Sequence, residues 1–374
     1  MARVDLDSGA PHAVLSGGGS GGHVFPGLAV ADELVRRGWR VSWVGSTRAL
    51  DARLVEQRRV PFHGLPARPL VGRGWAAKVQ ALVTLAASSW RARAVLRRLG
   101  ARVVVGTGGY VSAPSVVAGR LASRPVLLLE PNAEAGFANR WLSRLAAEAA
   151  VAFDEAAATL HCPAHTTGVP IRDEFFAIPA ALPPAPPWRL LVLGGSQGAQ
   201  QLNQALPRAL SRAAAKLDGA LAVLHQAGER HLESTREAYR QAIDAAASGG
   251  PAVTVEVTPF LDGVAAAMAE SHLLVSRAGA ITLAEICAAG RPSLLVPLAL
   301  AGGHQLTNAQ RLEARGAAEV LPPDAGAEDL AVVVTRLLSD RAGLEAMARS
   351  ARKLSRPNAA SAIADRVEHL GGAR

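Results

Sequence analysis

Apolar residues in this chain arrive in short blocks that alternate with longer stretches of helical spacing. His12–Ser16 is a compact apolar run. It is followed by near-pure glycine over Gly17–Gly22 and then by Val24–Arg37, where Leu28, Leu34 and Val35 recur at helical intervals until Gly38 ends the pattern. Trp39–Val44 reads as the next strand. Arg102–Val105 and Val126–Leu129 read as buried strands between the helical segments Trp75–Leu99 and Ala135–Ala147. Short apolar blocks alternating with helices of ten or so residues predict parallel strands covered on both faces, because a parallel crossover needs a helix.

Between His161 and Trp188 the texture changes. Pro163, Pro170, Pro179, Pro183, Pro184, Pro186 and Pro187 interrupt any periodicity, which predicts a linker. The pattern then restarts with a strand at Arg189–Leu193, a glycine turn at Gly194–Gly198 and a helix at Ala199–Lys216. Leu221–Leu224, Val253–Val257, His272–Val275 and Ser293–Val296 follow as strands. Each half thus opens with strand, glycine loop and helix. The expected class is α/β, with two Rossmann-like doubly wound domains facing one another across a cleft. Residues 1–168 form the first domain and 169–354 the second, with a C-terminal helix at about 355–374 expected to pack back on the first.

Composition narrows the chemistry. The 374 residues suit two domains, and 49% hydrophobic with 19% charged residues excludes collagen-like and disordered chains. Cys162 and Cys287 are too few for a disulfide framework and lack metal-ligand spacing, which fits a reducing compartment and no metal site. Apolar runs without charge are too short to span a bilayer, and the chain does not open with the basic-then-apolar pattern of a signal peptide. The net charge of +9, carried by arginine except for Lys78, Lys216 and Lys353, points to an anionic partner. Nucleic acid, an anionic membrane surface and a phosphorylated substrate all satisfy it, and nothing beyond net charge favours nucleic acid.

Gly17-Gly18-Gly19-Ser20-Gly21-Gly22-His23 lies between a strand and a helix, where backbone N–H groups can approach a phosphate. Its glycines also satisfy the dinucleotide fingerprint. The second strand, however, runs into Gly45-Ser46-Thr47-Arg48 with no acid for a nicotinamide ribose, so only an NADP-linked alternative stays open, through Arg48. Gly194-Gly195-Ser196-Gln197-Gly198 occupies the matching place in the second half. In Ser276–Glu285, Thr282 falls in the first turn of a helix and Glu285 three residues on, as would suit a diphosphate and the two hydroxyls of a ribose. The same residues also simply favour a helix start, so spacing alone leaves both readings open.

Five motifs occur in order: Gly17–Gly22 with His23-Val24-Phe25-Pro26-Gly27, Gly106-Thr107-Gly108-Gly109-Tyr110-Val111-Ser112-Ala113-Pro114, Gly194–Ala199, the run ending at Glu285, and His304-Gln305 with Asn308-Ala309. Together they closely resemble the MurG family, the bacterial UDP-N-acetylglucosamine transferases of peptidoglycan synthesis, over essentially the whole chain. The resemblance implies a GT-B fold and a glycosyltransferase of cell wall biogenesis, hence of cell shape and division. It would invert the anomeric carbon while moving N-acetylglucosamine from UDP to the 4-hydroxyl of lipid I, giving lipid II. UDP-N-acetylglucosamine is then the donor substrate, with no tightly bound cofactor. Alternatives are a GT-B enzyme with another lipid acceptor, a UDP-sugar epimerase, or the NADP-linked enzyme.

Residue by residue, the resemblance carries Arg172, Ser196 and Thr282 to the diphosphate, Leu261 to uracil and Glu285 to ribose. Ala280, Ile281, Leu283, Ala284 and Gln305 fall around the sugar nucleotide, with Ser20, Gly21, Gly22 and Asn132 contributing from the first domain. Two bases compete, His23 first and Glu130 second, with Tyr110 positioning the acceptor. This chain has Leu129-Glu130-Pro131-Asn132 where the family usually shows His-Glu-Gln-Asn, so the acid and the amide survive without the neighbours that would orient them. Gly302-Gly303-His304-Gln305 likewise lacks an acid that often precedes His-Gln.

Trp75, Val79, Leu82, Val83, Ala86 and Trp90 share one helical stripe, ringed by Arg73, Lys78, Arg91, Arg93, Arg97 and Arg98. Such a stripe either packs into the core or lies in a membrane interface while the cations meet anionic lipid. The family is known for a membrane patch on its first domain. The resemblance therefore places this chain peripherally on the cytoplasmic face of the plasma membrane.

Overall fold

The apolar blocks fold as parallel strands in the computed structural model, which describes residues 9–19, 21–47, 49–68, 75–195, 198–245, 252–298 and 303–372, without the side chains of 49–51 and 76–78. The chain divides into two units, Met1–Arg172 with Arg356–Arg374, and Asp173–Ser355.

In the first unit the strands are β1 (His12–Ser16), β2 (Arg40–Ser46), β3 (Phe62–Leu65), β4 (Val103–Gly106), β5 (Val126–Glu130), β6 (Glu148–Val151) and β7 (Ala164–Thr166), in the order β3-β2-β1-β4-β5-β6-β7. Every pairing is parallel. Side chains alternate as a pleat demands: Ala13 and Leu15 enter one core with Trp43 and Val105, and Val14 enters the other with Val104 and Leu128. The C-terminal helix Ala359–Gly371 closes the first of these cores with Ile363, Ala364 and Val367, spaced to fall on one face. Burying the Ile and Val side chains contributes about 1.5–3 kcal/mol each. Arg37 pins the same helix by donating to Asp365 at 2.6 Å, Glu368 at 2.8 Å and Ser361 Oγ at 2.7 Å.

The second unit holds β8 (Trp188–Leu193), β9 (Leu221–Gln226), β10 (Val253–Thr258), β11 (Leu273–Ser276), β12 (Ser293–Leu295) and β13 (Glu319–Val320), in the order β10-β9-β8-β11-β12-β13 and again all parallel. Its core joins Leu190 and Val192 to Leu202 and Leu206 of the helix Gln200–Ala214 and to Leu330 and Val334 of the helix Ala327–Ser339. In both sheets the order reverses beside the first strand, between β1 and β4 and between β8 and β11. Such a switch point opens a crevice outside the carboxyl ends of the strands.

Three local expectations need correction. The helix expected over Ala135–Ala147 runs only from Phe137 to Leu142, because Glu148–Val151 is drawn into the sheet beside β5 and the chain must turn before it. Helix formation after the first glycine loop begins at Gly21 rather than Val24. The proline-rich stretch is no free linker. It contains β7 at its start, and its later carbonyls, which no ladder can satisfy, are taken up by buried and half-buried donors. Arg291 donates to Pro179 O at 3.0 Å, Arg352 to Ile178 O at 2.9 Å, and His272 Nε2 to Pro183 O at 3.0 Å. Part of the arginine surplus therefore serves the fold.

Candidate functional site

The first unit gathers its candidates at the carboxyl ends of β1, β4 and β5. Beyond β1 the chain runs through Gly17–Gly19 into the helix Gly21–Arg36, whose first turn carries Gly21, Gly22 and His23. Trp43 of β2 holds the start of this loop by donating its indole N–H to Gly17 O at 3.1 Å. Beyond β4 comes the turn Thr107-Gly108-Gly109-Tyr110, with Gly108 and Gly109 at φ +101 and +73. The His23 ring lies directly against this turn: a Cβ at Gly108 would stand 2.9 Å from His23 Nδ1, and one at Gly109 3.1 Å from its Cδ2. Glycine is required here both by the left-handed backbone and by the imidazole. Tyr110 reaches over the first loop, its hydroxyl 4.0 Å from where a Gly19 Cβ would be.

Glu130 ends β5 and is only 2% exposed. Its Oε1 accepts from the backbone N–H of Asn132 at 3.0 Å and from Asn132 Nδ2 at 2.9 Å. Its Oε2 accepts from Gly136 N and Asn139 Nδ2, both at 2.9 Å. Asn139 also donates to Leu129 O at 2.9 Å and lies 3.7 Å from a Cβ placed on Gly108, which joins the carboxylate cluster to the His23 turn. No sequence motif singled out Asn139; its only signal was an amide on the buried side of a short helix.

The second unit builds a different kind of site. Ser196 and Gln197, like Ser20, Arg48, Arg73 and Gly302, lie outside the described residues. Gly198 follows, with φ +76 and a Cβ position blocked by the carbonyl of Ala227. That carbonyl accepts from Asn203 Nδ2 at 2.9 Å, Asn203 Oδ1 accepts from His225 Nε2 at 2.9 Å, and His225 Nδ1 accepts from Tyr239 at 2.9 Å. Burial pushes the His225 imidazole down to about 3, so it stays neutral and holds this one tautomer. These three side chains escaped the sequence reading because only their meeting in space gives them a role.

Beyond β11 the helix Ala280–Ala289 begins behind Gly279, with no side chain capping its first turn. Thr282 sits in that turn and Glu285 one turn on, both half-buried, with Leu283 turned into the core and Ala280, Ile281 and Ala284 half-buried. Arg277 ties the loop to its neighbours, donating to Val296 O at 2.9 Å, Pro297 O at 3.2 Å and Gln201 Oε1 at 3.2 Å. Desolvation lowers its pKa. Gln305, in the first turn of the helix His304–Glu313, accepts from Leu298 N at 2.9 Å. Leu261 follows the end of β10, so it shares this edge of the sheet. Arg172 is the last residue of the first unit and is exposed. Among the described residues no group of three or more His, Cys, Asp or Glu side chains is placed to hold a metal ion.

Along the helix Trp75–Leu99 the whole apolar stripe is exposed, Trp75 by 80% and Trp90 by 65%, with Val79, Leu82, Val83 and Ala86 between them. The core-packing alternative is thereby overturned: the helix buries Ala81, Ser88, Ser89, Ala92 and Leu96 instead. Leu121, Phe137 and Trp141, exposed on two further helices of the same unit, were not anticipated. Arg93 and Arg144 stack over Trp90 and Trp141, with centroid distances of 5.2 and 5.5 Å. No described helix is long and apolar enough to cross a membrane.

Two parallel-sheet α/β units, each opening on strand, glycine loop and helix, define a glycosyltransferase of the GT-B fold. The chain belongs to glycosyltransferase family 28: residues 13–151 match its N-terminal domain and residues 189–365 its C-terminal domain. It is 40% identical to the UDP-N-acetylglucosamine--N-acetylmuramyl-(pentapeptide) pyrophosphoryl-undecaprenol N-acetylglucosamine transferase of Stutzerimonas stutzeri, over 95% of this chain and 98% of that protein. The like-named protein of Pseudomonas entomophila is 41% identical over 95% and 96%. The crystal structure of Acinetobacter baumannii MurG superposes with a TM-score of 0.80 at 33% identity, covering 96% of this chain and 99% of that one.

Proposed function

We propose that this enzyme transfers N-acetylglucosamine from UDP-N-acetylglucosamine to the 4-hydroxyl of N-acetylmuramoyl-pentapeptide on diphospho-undecaprenol, making lipid II from lipid I. The observation that carries the reading is the packing of His23 against Gly108–Gly109 beside Tyr110. It sets an imidazole and a phenol together at the switch point of the first sheet. The acceptor oxygen attacks the anomeric carbon as the bond to the UDP oxygen breaks, inverting the centre. The hydroxyl proton passes to His23, whose residue type titrates near neutrality; a well-placed base supplies about 10²–10⁴-fold. Tyr110 orients the acceptor.

Charge that develops on departing UDP is met by main-chain N–H groups of the second unit's loops, by Thr282 at the head of its helix, and by Ser196 and Arg172. In this reading those donors take the place of a divalent ion, and no tightly bound cofactor takes part. Glu285 holds the ribose, Leu261 meets uracil, and Ala280, Ile281, Leu283, Ala284 and Gln305 surround the sugar nucleotide. Ser20, Gly21, Gly22 and Asn132 serve the donor from the first unit. Incubation with labelled UDP-N-acetylglucosamine and a lipid I analogue tests the proposal. A β-linked disaccharide on the lipid is expected, and binding of NADPH without UDP release would overturn it.

The acceptor never leaves the bilayer, so the enzyme works at the cytoplasmic surface of the plasma membrane. The exposed stripe from Trp75 through Val79 and Leu82 to Trp90 enters the interface while neighbouring arginines meet anionic headgroups, at about 1 kcal/mol per basic residue. Replacing Trp75 and Trp90 together by Glu is expected to weaken binding to anionic vesicles at least tenfold and to leave UDP-sugar affinity unchanged. Undiminished vesicle binding would remove the stripe from the interface.

A further inference from the structure

From the four hydrogen bonds received by Glu130 we infer that this residue is not a base but a positioning residue, whose carboxylate fixes the Asn132 amide. The inference rests on the transferase reading for its kinetic consequences and on geometry alone for its structural ones.

Glu130 is still part of the sheet, opposite Val151 of β6, and Ala152 N donates to its carbonyl at 3.0 Å. Its side chain falls on the face of β5 that carries Leu128, under the short helix Phe137–Leu142. Four N–H donors converge there at 2.9–3.0 Å. An ionised carboxylate has about four acceptor sites, and here each is matched by a donor, three from the loop that follows and one from the helix Phe137–Leu142. A base must turn a lone pair toward its substrate within hydrogen-bond reach. Doing so here would strip a half-buried loop of its acceptor.

What the arrangement does accomplish is orientation. Oε1 takes both the backbone N–H and the side-chain Nδ2 of Asn132, so the NH₂ end of that amide is turned to Glu130 and its Oδ1 end is set as an acceptor. Oε2 locks Gly136 and Asn139, and Asn139 faces the His23 turn at Gly108. The Pro131 between acid and amide has no N–H to compete and restricts the backbone. Glu130, Gly136 and Asn139 thus do the orienting that the missing His and Gln neighbours would have done.

Four variants and three readouts test this. Glu130→Gln and Asn132→Ala are each expected to lower kcat/KM by about 10²-fold, since a group displaced by about 1 Å costs that much. Their double variant should fall no further than the worse single, because the residues act as one unit. The acid limb of the kcat/KM–pH profile should keep its wild-type midpoint in Glu130→Gln. Loss of that limb, or multiplying effects in the double variant, would overturn the inference.

Asn132→Asp brings a second carboxylate against Glu130, and such a pair binds one shared proton far more tightly than either acid alone. Its activity relative to wild type should therefore rise about tenfold or more from pH 8 to pH 5.5, and a flat ratio would count against the pairing. This arm stands even if Glu130→Gln does not fold. Amide exchange needs no substrate: Asn132 and Gly136 should exchange slowly in the wild type, and rapid exchange of both would overturn the clasp. If the wild type transfers no sugar while those amides stay protected, the transferase reading fails and the clasp remains.

Discussion

The two units share a sheet design and differ in where they put buried polar groups. In the first, the buried groups belong to the loop: Glu130 and Asn139 brace it from within, and half-buried His23 and Tyr110 pack against glycine turns. In the second, the buried triplet Asn203, His225 and Tyr239 lies beneath the loop, and its effect is to hold the single carbonyl of Ala227 against which Gly198 is packed. The first unit offers titratable side chains and the second a fixed main chain. A base must exchange protons with the reaction, whereas a diphosphate is best met by donors that need no rearrangement.

The same substitution should separate the two designs most sharply. In Gly198→Ala the new Cβ would collide with a backbone carbonyl at φ +76, and neither atom can yield. A destabilisation of about 3 kcal/mol or more is expected, together with loss of donor binding. In Gly17→Ala the Cβ meets Thr107 Oγ1, a side-chain atom that can rotate away, so about 1–2 kcal/mol is expected. Thermal unfolding and UDP titration would read both. Equal costs would mean that the second loop is not held by its backbone contact.

Next in size is a pH effect lodged in the second unit. Folded His225 resists protonation until about pH 3, whereas the unfolded chain takes up the proton near 6.5. Above 6.5 the residue is neutral in both states and contributes no slope. As pH falls from 6.5 toward 3 the unfolded state binds the extra proton, and stability is lost at about 1.4 kcal/mol per pH unit. His272 in the same unit, lowered chiefly by desolvation, acts in the same direction. Amide exchange in β8 and β9 at pH 7, 6 and 5 would report the second unit by itself. His225→Gln should reduce the slope by about one proton, and an unchanged slope would locate the effect elsewhere.

This contrast also explains what could be read from the chain. Strands such as His12–Ser16 and the stretch ending at Leu193 declared themselves because their apolar runs suit only a strand buried on both faces. Phe62–Leu65, at the sheet edge and only partly buried, gave no such signal. Glu148–Val151 hid within an alanine-rich region whose composition favours helix, and it becomes a strand because β5 pairs with it. At the site, residues on glycine motifs were legible since the backbone there must meet a ligand or a close neighbour. Asn139 was not, for its partner lies on another element, nine positions away. The exposed stripe was ambiguous for a related reason: helical spacing defines a face but not what covers it.

The smallest effect concerns those faces. Exposed large apolar residues cluster on helices of the first unit, whereas in the second they are dispersed, as Val332 is at 65% exposure. Trp141, exposed by 64% and stacked under Arg144, joins an indole to a cation as the Trp90–Arg93 pair does. Both pairs suit a headgroup layer, where the ring is half-solvated and the guanidinium meets phosphate. A Trp141→Ala variant loses one indole while Arg144 stays, so vesicle affinity should drop about fivefold to tenfold, as withdrawing about 40–55 Å² of apolar area at ~25 cal/mol per Å² would give. Val332→Ala should leave vesicle binding within error, because a solitary exposed valine with no adjoining patch gains little from an interface. Co-sedimentation with anionic vesicles would check both, and a matching loss for Val332→Ala would mean that the membrane is met by both units.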